Sequence, residues 1–410
     1  MKDCDNTTDA ARLEPLRRDI LRELQEGILS YWLEKMQDPE GGFHGRRDGC
    51  DALDAEAPRG AILNARILWT FSAAYNALHR PEYLEAAEKE YRYIRSHFID
   101  REFGGAYWSV DAQGRPLDTK KQFYAIAFVI YGLAEYYEAS GDREALDLAM
   151  ELFDSIEEHS LDRELGGYLE AATREWKPIE DMRLSDKDDN APKTMNTHLH
   201  ILEAYSNLYR VSKDPRVGEA LRGMIRIFLD RIIDPAGDHM NLFFAEDWTP
   251  VSADISFGHD IEASWLLHEA ACNLGDEKVT AEVEGVVPGL ARGALRGYSP
   301  EGWMAYEELA SGERDTERHW WVQAETVAGL LWLASRLDLP EKCDFIRKGE
   351  LTFRWIEENL VDREEGEWYW SRLPDGTINR RDDKAGFWKC PYHNARMCLE
   401  ANAAITRLEA

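Results

Sequence analysis

The sequence predicts an all-α protein, a closed (α/α)6 barrel of twelve helices with short β-hairpins between the repeats. Three observations support this fold: a glycine turn that returns six times, two helical segments for each turn, and a last helix as apolar as the others. A length of 410 residues would by itself suggest two or three domains. The repeat instead indicates a single closed domain over residues 13–410, with residues 1–12 as a disordered N-terminus.

The turn glycines are spaced almost regularly along the chain. Successive members lie 63, 62, 70, 65 and 64 residues apart, at Gly42, Gly105, Gly167, Gly237, Gly302 and Gly366. A fixed period of this kind indicates one supersecondary unit stacked on copies of itself. Strand-like residues follow the turns, as at 106–110, and the next four residues, 111–114, end in glycine. That pattern predicts a β-hairpin in the repeat.

Between the turns, apolar residues recur at three- and four-residue steps. Ile67, Leu68 and Phe71 belong to one such series, which marks one face of a helix. The same spacing predicts twelve helices, at about 14–36, 61–79, 82–97, 122–139, 142–158, 195–212, 214–233, 259–274, 277–297, 321–338, 341–360 and 392–408. An open solenoid needs polar capping helices at its ends. Because the last helix is apolar, we expect the array to close into inner and outer rings of six helices each.

Composition narrows the range of partners. The formal net charge is −29, with 49 basic and 78 acidic residues. Nucleic acids and anionic membranes both attract clustered Lys and Arg, so neither is an expected partner. No apolar run is long enough to span a bilayer, and the N-terminus lacks the apolar stretch of a signal peptide. We expect a cytoplasmic monomer that binds a neutral small molecule.

The six cysteines show no metal-binding spacing. Reduced, buried thiols are the expectation for such a chain. Cys390 as a nucleophile is an alternative that no recognisable partner pattern supports.

The helix that follows each hairpin begins with unusual residues. Polar or aromatic side chains occupy its first turns where an apolar stripe would normally begin: Arg66, Tyr124, Asn196, His200, His259, Glu262, Trp321, Glu325 and His393. In a closed ring these six helix starts converge on one mouth. The sequence therefore predicts a site there.

His259 and Glu262 are three residues apart and share a helix face. A carboxylate beside an imidazole can orient it and raise its basicity, as a general base requires. The alternative is structural, because Asp260 and Glu262 also suit the positive end of a helix. The motif by itself leaves both interpretations open.

The remaining histidines raise the question of a metal. Asn196 and His200 lie four apart on one face, while His198 points elsewhere and is expected to be a satisfied core residue. A zinc site built from His200, His259, His393 and Glu262 is an alternative without any local ligand-pair motif. We expect no metal and no cofactor, since the chain also has no nucleotide-binding glycine motif.

Two tryptophans and one long loop complete the candidate site. Trp321 and Trp388 lie beside His and Glu at the repeated position, and indole rings provide flat apolar faces for a sugar. The polar segment 181–194 interrupts the helical rhythm. A loop of that length in a compact body is usually functional or disordered.

At these residues the sequence resembles the N-acylglucosamine 2-epimerase superfamily. The matching runs span nearly the whole chain: Glu56–Thr70, Met195–His200, Ser256–Trp265, His319–Glu325 and Phe387–Asn394. One departure is Cys390, where the family pattern has glycine. The resemblance implies reversible epimerisation at C2 of the reducing-end glucose of β-1,4-linked disaccharides, such as cellobiose to glucosyl-mannose and lactose to epilactose.

The resemblance also implies roles for single residues. His259 and His393 match the two acid–base residues on opposite faces of C2. His200 matches the histidine that moves protons during ring opening. Arg66 matches the residue that holds the developing oxyanion, a task that suits a charged donor. The remaining positions match substrate-binding groups: Tyr124, Asn196, Glu262 as the partner of His259, Glu325, Trp321, Trp388, and Asp188 for the non-reducing glucose.

Three rival functions follow from the same residues. An aldose–ketose isomerase would form the same enediol but return the proton to C1. A glycoside hydrolase would need two opposed carboxylates, for which Glu262 and Glu325 are the candidates. A non-catalytic helical scaffold would not need His, Arg and Glu to converge at one point.

Overall fold

The structure, a computed structural model, describes residues 6–185, 188–236 and 238–409. Within these ranges the chain forms twelve α-helices: α1 (Asn6–Arg22), α2 (Ala61–Leu78), α3 (Pro81–His97), α4 (Phe123–Ser140), α5 (Arg143–His159), α6 (Met195–Ser212), α7 (Pro215–Ile227), α8 (Phe257–Leu274), α9 (Glu277–Ala294), α10 (Trp320–Arg336), α11 (Lys342–Asn359) and α12 (Tyr392–Glu409). The predicted helices are confirmed, with most ends within a few residues of those expected.

The first helix differs most from its prediction. It begins at Asn6 and continues in π-helical turns at Glu23–Leu29 and Trp32–Met36. The segment expected to be disordered, 1–12, falls partly on residues outside the described ranges. A further π-helical turn, Phe228–Ile232, extends α7.

The even-numbered helices form the inner ring of the barrel. Each packs on the next in the order α2, α4, α6, α8, α10 and α12, and α12 returns to contact α2. Each odd-numbered helix packs outside one of them, and the first helix, α1, covers the last, α12. The closed (α/α)6 barrel is confirmed. Closure follows because α12 is apolar on the faces that meet α1, α2 and α10.

Short antiparallel strands join the repeats at one end of the barrel: β1 (Arg59–Gly60), β2 (Ser109–Val110), β3 (Pro116–Asp118), β4 (Lys121–Gln122), β5 (Ala171–Ala172), β6 (Lys193–Thr194), β7 (Phe243–Phe244), β8 (Ile255–Ser256), β9 (Glu307–Glu308), β10 (Arg314–Asp315), β11 (Arg318–His319) and β12 (Ser371–Arg372). A strand precedes each of the inner helices α2 to α10, and it pairs with a strand of the following repeat. A bridge between Arg47 and Ala385 links the last repeat to the first. The starts of the inner helices are therefore tied together around one mouth.

Buried ion pairs connect the glycine turns to the segments that precede the inner helices. Lys121 donates to Asp100 at 2.9 Å, and Lys193 donates to Asp162 at 2.8 Å. Arg59 and Asp38, and Lys384 and Asp362, form corresponding pairs. Arg59, Lys121 and Lys193 lie two residues before an inner helix, whereas Lys384 lies in the loop before α12. In all four pairs the aspartate opens a glycine turn. The aspartate at the start of each of these turns therefore anchors a neighbouring segment of the chain.

The fourth residue of three inner helices holds a second contact to the turns. His198 Nε2 accepts the backbone N–H of Tyr168 at 2.9 Å, and its Nδ1 donates to the carbonyl of Thr194 at 2.6 Å. Asp260 accepts from Met240 N–H, and Gln323 from Met304 N–H. His198 is thus the satisfied core residue that the sequence predicts. The fourth turn glycine, Gly237, lies outside the described residues.

Gly167 and its neighbour Gly166 provide a test of the turn geometry. Both have positive φ, 80° and 77°, but a Cβ on Gly167 would overlap the Trp248 ring and lie 2.9 Å from His198 Nε2, whereas one on Gly166 would meet nothing within 4 Å. Gly166→Ala is expected to cost about 1 kcal/mol for the left-handed backbone. Gly167→Ala adds overpacking, for a total of about 2–4 kcal/mol. Urea denaturation of both variants measures the difference, and equal losses would contradict this account.

Two further sequence expectations have structural outcomes. Cys390 and Cys398 are buried free thiols, and Cys50 and Cys272 are exposed free thiols. Cys343, however, is disulfide-bonded, so the expectation of uniformly reduced thiols is wrong at that position. Among the described helices, none combines the length and apolar character needed to cross a bilayer.

Candidate active site

A cavity of about 620 Å³ lies in the mouth formed by the starts of the inner helices. Ten of the predicted site residues line it: Arg66, Tyr124, Asp188, Asn196, His200, His259, Glu262, Trp321, Trp388 and His393. The eleventh, Glu325, is fully buried behind His393. The sequence pattern thus selected side chains that the fold does bring together. A second cavity lined by Asp188, Asn196 and His259 adjoins this one, so the mouth extends outward along the loop 181–194.

His393 is oriented by a carboxylate from another helix. Its Nδ1 lies 2.7 Å from Oε1 of Glu325, across from α12 to α10. An ionised carboxylate only accepts, so Nδ1 carries a proton and Nε2 is free to act on a ligand. Burial lowers the pKa of His393 to about 3, although Glu325 opposes this effect. The imidazole is therefore neutral near neutral pH and able to accept a proton.

His200 has a similar partner on its own helix. Its Nδ1 lies 2.9 Å from Oε2 of Glu203, one turn further along α6. Burial lowers the pKa of His200, with Glu203 acting in the opposite direction. Both residues are almost completely buried. The pair presents Nε2 of a neutral His200 to the cavity.

His259 differs from the other two histidines. Its Nδ1 lies 2.7 Å from the hydroxyl of Ser256, the residue that caps α8. Burial, His200 and His393 lower the pKa of His259 to about 3. Among the described residues Glu262 makes no hydrogen bond to this ring and instead accepts one from Arg396 at 2.6 Å. The interpretation of Glu262 as the partner of His259 is therefore wrong.

Arg396 lies at the centre of a buried cluster of carboxylates beneath the cavity. Its Nη2 donates to Glu262 and to Glu325, at 2.6 Å each, and its Nη1 to Glu203. Burial and the charge of Glu325 raise the pKa of Glu262, whereas Arg396 and His393 outweigh burial and lower that of Glu325. The cluster thus connects the carboxylates behind His200 and His393.

The same cluster bears on the alternative of a metal site. Ligand atoms of Glu262, Glu325 and His393 lie within 4.8 Å of one another, as a metal would require. The guanidinium of Arg396, however, already donates to both carboxylates. Arg396 therefore already supplies a positive charge to the two carboxylates that a metal ion would need as ligands. The zinc set proposed from the sequence also includes His200 and His259, whose Nδ1 atoms bond to Glu203 and Ser256.

Arg66 is a buried cation without a carboxylate partner among the described residues. It donates to the hydroxyl of Tyr124 at 2.9 Å, and its guanidinium stacks on Phe128 at 4.1 Å and on Tyr392 at 4.8 Å. Cys390 is buried beside it, and burial raises the pKa of this thiol. A buried guanidinium held by neutral and aromatic groups is available to an anion that forms in the cavity.

Aromatic side chains form the walls of the mouth. The ring of Trp321 lies 4.8 Å from that of His259 and 5.7 Å from that of His393. Trp388 packs near Trp108 and Tyr124 and keeps part of its ring exposed, as Trp321 does. Two half-exposed indoles in a polar cavity suit the apolar faces of a sugar.

Polar groups on the remaining wall are only partly engaged. Asn196 has a buried side-chain oxygen without a hydrogen-bond partner among the described residues. Asp188 accepts hydrogen bonds from the backbone and hydroxyl of Ser185, and burial raises its pKa. Residues 186 and 187 of the same loop lie outside the described ranges.

Glu203 and Ser256, the groups behind His200 and His259, are not among the predicted site residues. Glu203 has the same three-residue spacing from His200 that Glu262 has from His259, so the signal was present on α6. Ser256 was recognisable as a helix cap but not as a ring partner. Arg396, a buried arginine on an apolar helix, gave no signal of its role.

An (α/α)6 barrel whose mouth holds three histidines, a buried guanidinium with no carboxylate partner in the described part of the chain, and two indoles defines a sugar-binding enzyme with acid–base chemistry. Comparison with known proteins agrees. The sequence model of the N-acylglucosamine 2-epimerase (GlcNAc 2-epimerase) family matches residues 41–396. The chain therefore belongs to the N-acylglucosamine 2-epimerase family. It is a carbohydrate epimerase, an enzyme of the isomerase class.

Relatives match along nearly the whole chain. A cellobiose 2-epimerase of Bacteroides fragilis is 53% identical over 393 residues, covering 94% of this chain and 98% of the relative. One of Ruminococcus albus is 38% identical over 390 residues, covering 95% and 98%. The solved structure of cellobiose 2-epimerase from Spirochaeta thermophila superposes with a TM-score of 0.90 at 42% identity, covering 97% of this chain and 98% of that one.

Proposed function

We propose that the protein reversibly epimerises C2 of the reducing-end glucose in β-1,4-linked disaccharides, converting cellobiose to glucosyl-mannose and lactose to epilactose. The observation that carries the proposal is the placement of His259 and His393. They lie on α8 and α12, the two inner helices that flank α10, and both rings lie within 5.7 Å of Trp321. Two imidazoles can thus approach one carbon of a sugar held against that indole. The names of the full-length relatives support the choice of a disaccharide.

The chemistry begins with opening of the sugar ring, in which His200 moves the proton between O1 and O5. The C1 aldehyde makes the C2 hydrogen acidic, and one of the two imidazoles removes it. The electron pair moves to the C1 oxygen and gives a cis-enediolate. Arg66, with Tyr124 beside it, stabilises this oxyanion by charge-assisted hydrogen bonds.

Rotation about the C2–C3 bond then turns the other face of C2 toward the second imidazole. That imidazole takes up a proton from solvent before this step and delivers it to C2, the aldehyde re-forms, and ring closure gives the 2-epimer. The first imidazole then releases the abstracted proton to solvent. Both histidines act as acid and base, because the reverse reaction uses them in the opposite order. Asp188 contacts the non-reducing sugar in this scheme, which its position in the lining of both adjoining cavities supports.

The glycoside hydrolase alternative conflicts with the geometry. Its two carboxylates, Glu262 and Glu325, would have to flank a glycosidic bond. Both instead accept from the same nitrogen of Arg396, and Glu325 is fully buried. Two groups that share one guanidinium beneath the cavity cannot act from opposite sides of a substrate.

Incubation with cellobiose in D2O, followed by NMR, tests the proposal. We expect deuterium at C2 of a glucosyl-mannose product, because the imidazole that gives up its proton can exchange with solvent first. A ketose product without the 2-epimer would instead establish an aldose–ketose isomerase. Release of glucose would establish a hydrolase, and a 2-epimer without deuterium would reject the proton-abstraction scheme. A His259→Ala variant is the matched inactive control.

A further inference from the structure

The three histidines of the cavity differ in the group that lies behind Nδ1. His393 and His200 each have a carboxylate there, Glu325 at 2.7 Å and Glu203 at 2.9 Å. His259 has the hydroxyl of Ser256 at 2.7 Å. Ser256 is only 3% exposed, so water does not replace it easily. One imidazole of the proposed acid–base pair therefore lacks the anionic partner that the other has.

A carboxylate and a hydroxyl affect an imidazole in different ways. A carboxylate accepts the Nδ1 proton and stabilises the imidazolium, which makes the ring a stronger base. A hydroxyl either donates or accepts and contributes no charge, so it orients the ring without stabilising the imidazolium as strongly. The titratable groups that act on His259 from neighbouring helices are His200, His393 and Glu325. Two of these three oppose a positive charge on its ring.

We propose that Ser256 is a positioning residue that orients His259 through Nδ1 without supplying the negative charge that Glu325 supplies behind His393. This inference rests on the proposed function. His259 is then held for proton exchange at C2 by a neutral partner, whereas His393 is held by a carboxylate. Burial lowers the pKa of both rings to about 3, so they differ in their partners and not in pKa.

The serine has a second task, which must be separated from the first. Its hydroxyl also caps α8, accepting the backbone N–H of His259 at 3.5 Å. Thr194 caps α6 in the same way, accepting from the backbone N–H of Thr197 at 3.1 Å, but its hydroxyl forms no hydrogen bond to an imidazole of the described residues. Thr194→Ala is therefore a matched control for loss of a cap alone.

The test compares Ser256→Ala, Ser256→Asp and Ser256→Thr with the control. We expect Ser256→Ala to lower kcat about tenfold, which corresponds to the loss of one neutral hydrogen bond. Ser256→Thr keeps the hydroxyl and should keep kcat close to that of the unmodified protein. Ser256→Asp is expected to raise the pKa of His259 by about 1–3 units, as an adjacent carboxylate does. Titration of 15N-labelled histidine by NMR reports this pKa directly, and the pH profile of kcat/KM is expected to shift with it. Thr194→Ala should lower the free energy of unfolding without shifting the pKa of His259 or the pH profile of kcat/KM.

Two results would overturn the inference: an unchanged His259 titration in folded Ser256→Asp, or an equal shift in Thr194→Ala. The NMR titration needs no substrate. Failure of the proposed function, seen as no C2 exchange with the unmodified protein, is therefore distinguishable from failure of the Ser256 assignment.

Discussion

A His393→Ala variant is expected to lower kcat for epimerisation of cellobiose by about 10²–10⁴-fold, the usual contribution of one acid–base group. His393 lines the cavity, and its ring is held by Glu325 at 2.7 Å, so its removal takes away a proton acceptor in a fixed place. Steady-state assays with NMR detection of the 2-epimer measure the loss. His159→Ala, on the outer helix α5, should retain full activity.

A double-mutant cycle sharpens this prediction. Glu325→Gln keeps the volume of the side chain but removes the charge that supports the imidazolium, and it too should lower kcat. Residues that act as a unit give strongly non-additive losses. We therefore expect His393→Ala with Glu325→Gln to be scarcely worse than His393→Ala alone. Additive losses would show that the two side chains act independently and would contradict the assignment.

An Arg396→Met variant is expected to lose about 3–5 kcal/mol of folding stability, the cost of leaving buried charges without a partner. Glu203, Glu262 and Glu325 all accept from this guanidinium, and the four side chains are nearly inaccessible to solvent. Chemical denaturation monitored by circular dichroism measures the loss. Arg226→Met is the matched control, because Arg226 is 40% exposed and pairs with the exposed Glu282 at 2.5 Å. A partly exposed pair contributes only about 0–1 kcal/mol.

The stability loss should also depend on pH, with a predictable sign. Without Arg396, the folded-state pKa of the clustered carboxylates rises above the unfolded value of about 4.3. A carboxyl group whose pKa is raised in the folded state binds a proton more readily there than in the unfolded state. The free-energy cost of keeping this group in the folded protein therefore grows as pH rises. The deficit of Arg396→Met should be larger at pH 8 than at pH 5. A deficit that is constant between these values would contradict an electrostatic origin.

The site illustrates how far local sequence patterns lead. The start of each inner helix was readable because helical periodicity and the glycine turn are local properties, and they placed Arg66, His200, His259 and His393 at one mouth. The sequence did not indicate which charged groups pair with one another. The same His-x-x-Glu spacing occurs on α6 and α8, yet only His200 bonds to its glutamate. On α8, Ser256 occupies Nδ1 of His259, and Arg396 takes up Glu262.

The sequence by itself determined the repeat, the closed ring of helices and the end of the barrel at which the functional side chains meet. These depend on spacing between near neighbours, which sets the face of a helix and the position of a turn. The tertiary structure alone decided which charge supports which imidazole. Glu203 and Arg396 are 193 residues apart, and His393 and Glu325 are 68 apart. Desolvation and Coulomb energies depend on distance in space, and helices from different repeats supply the partners.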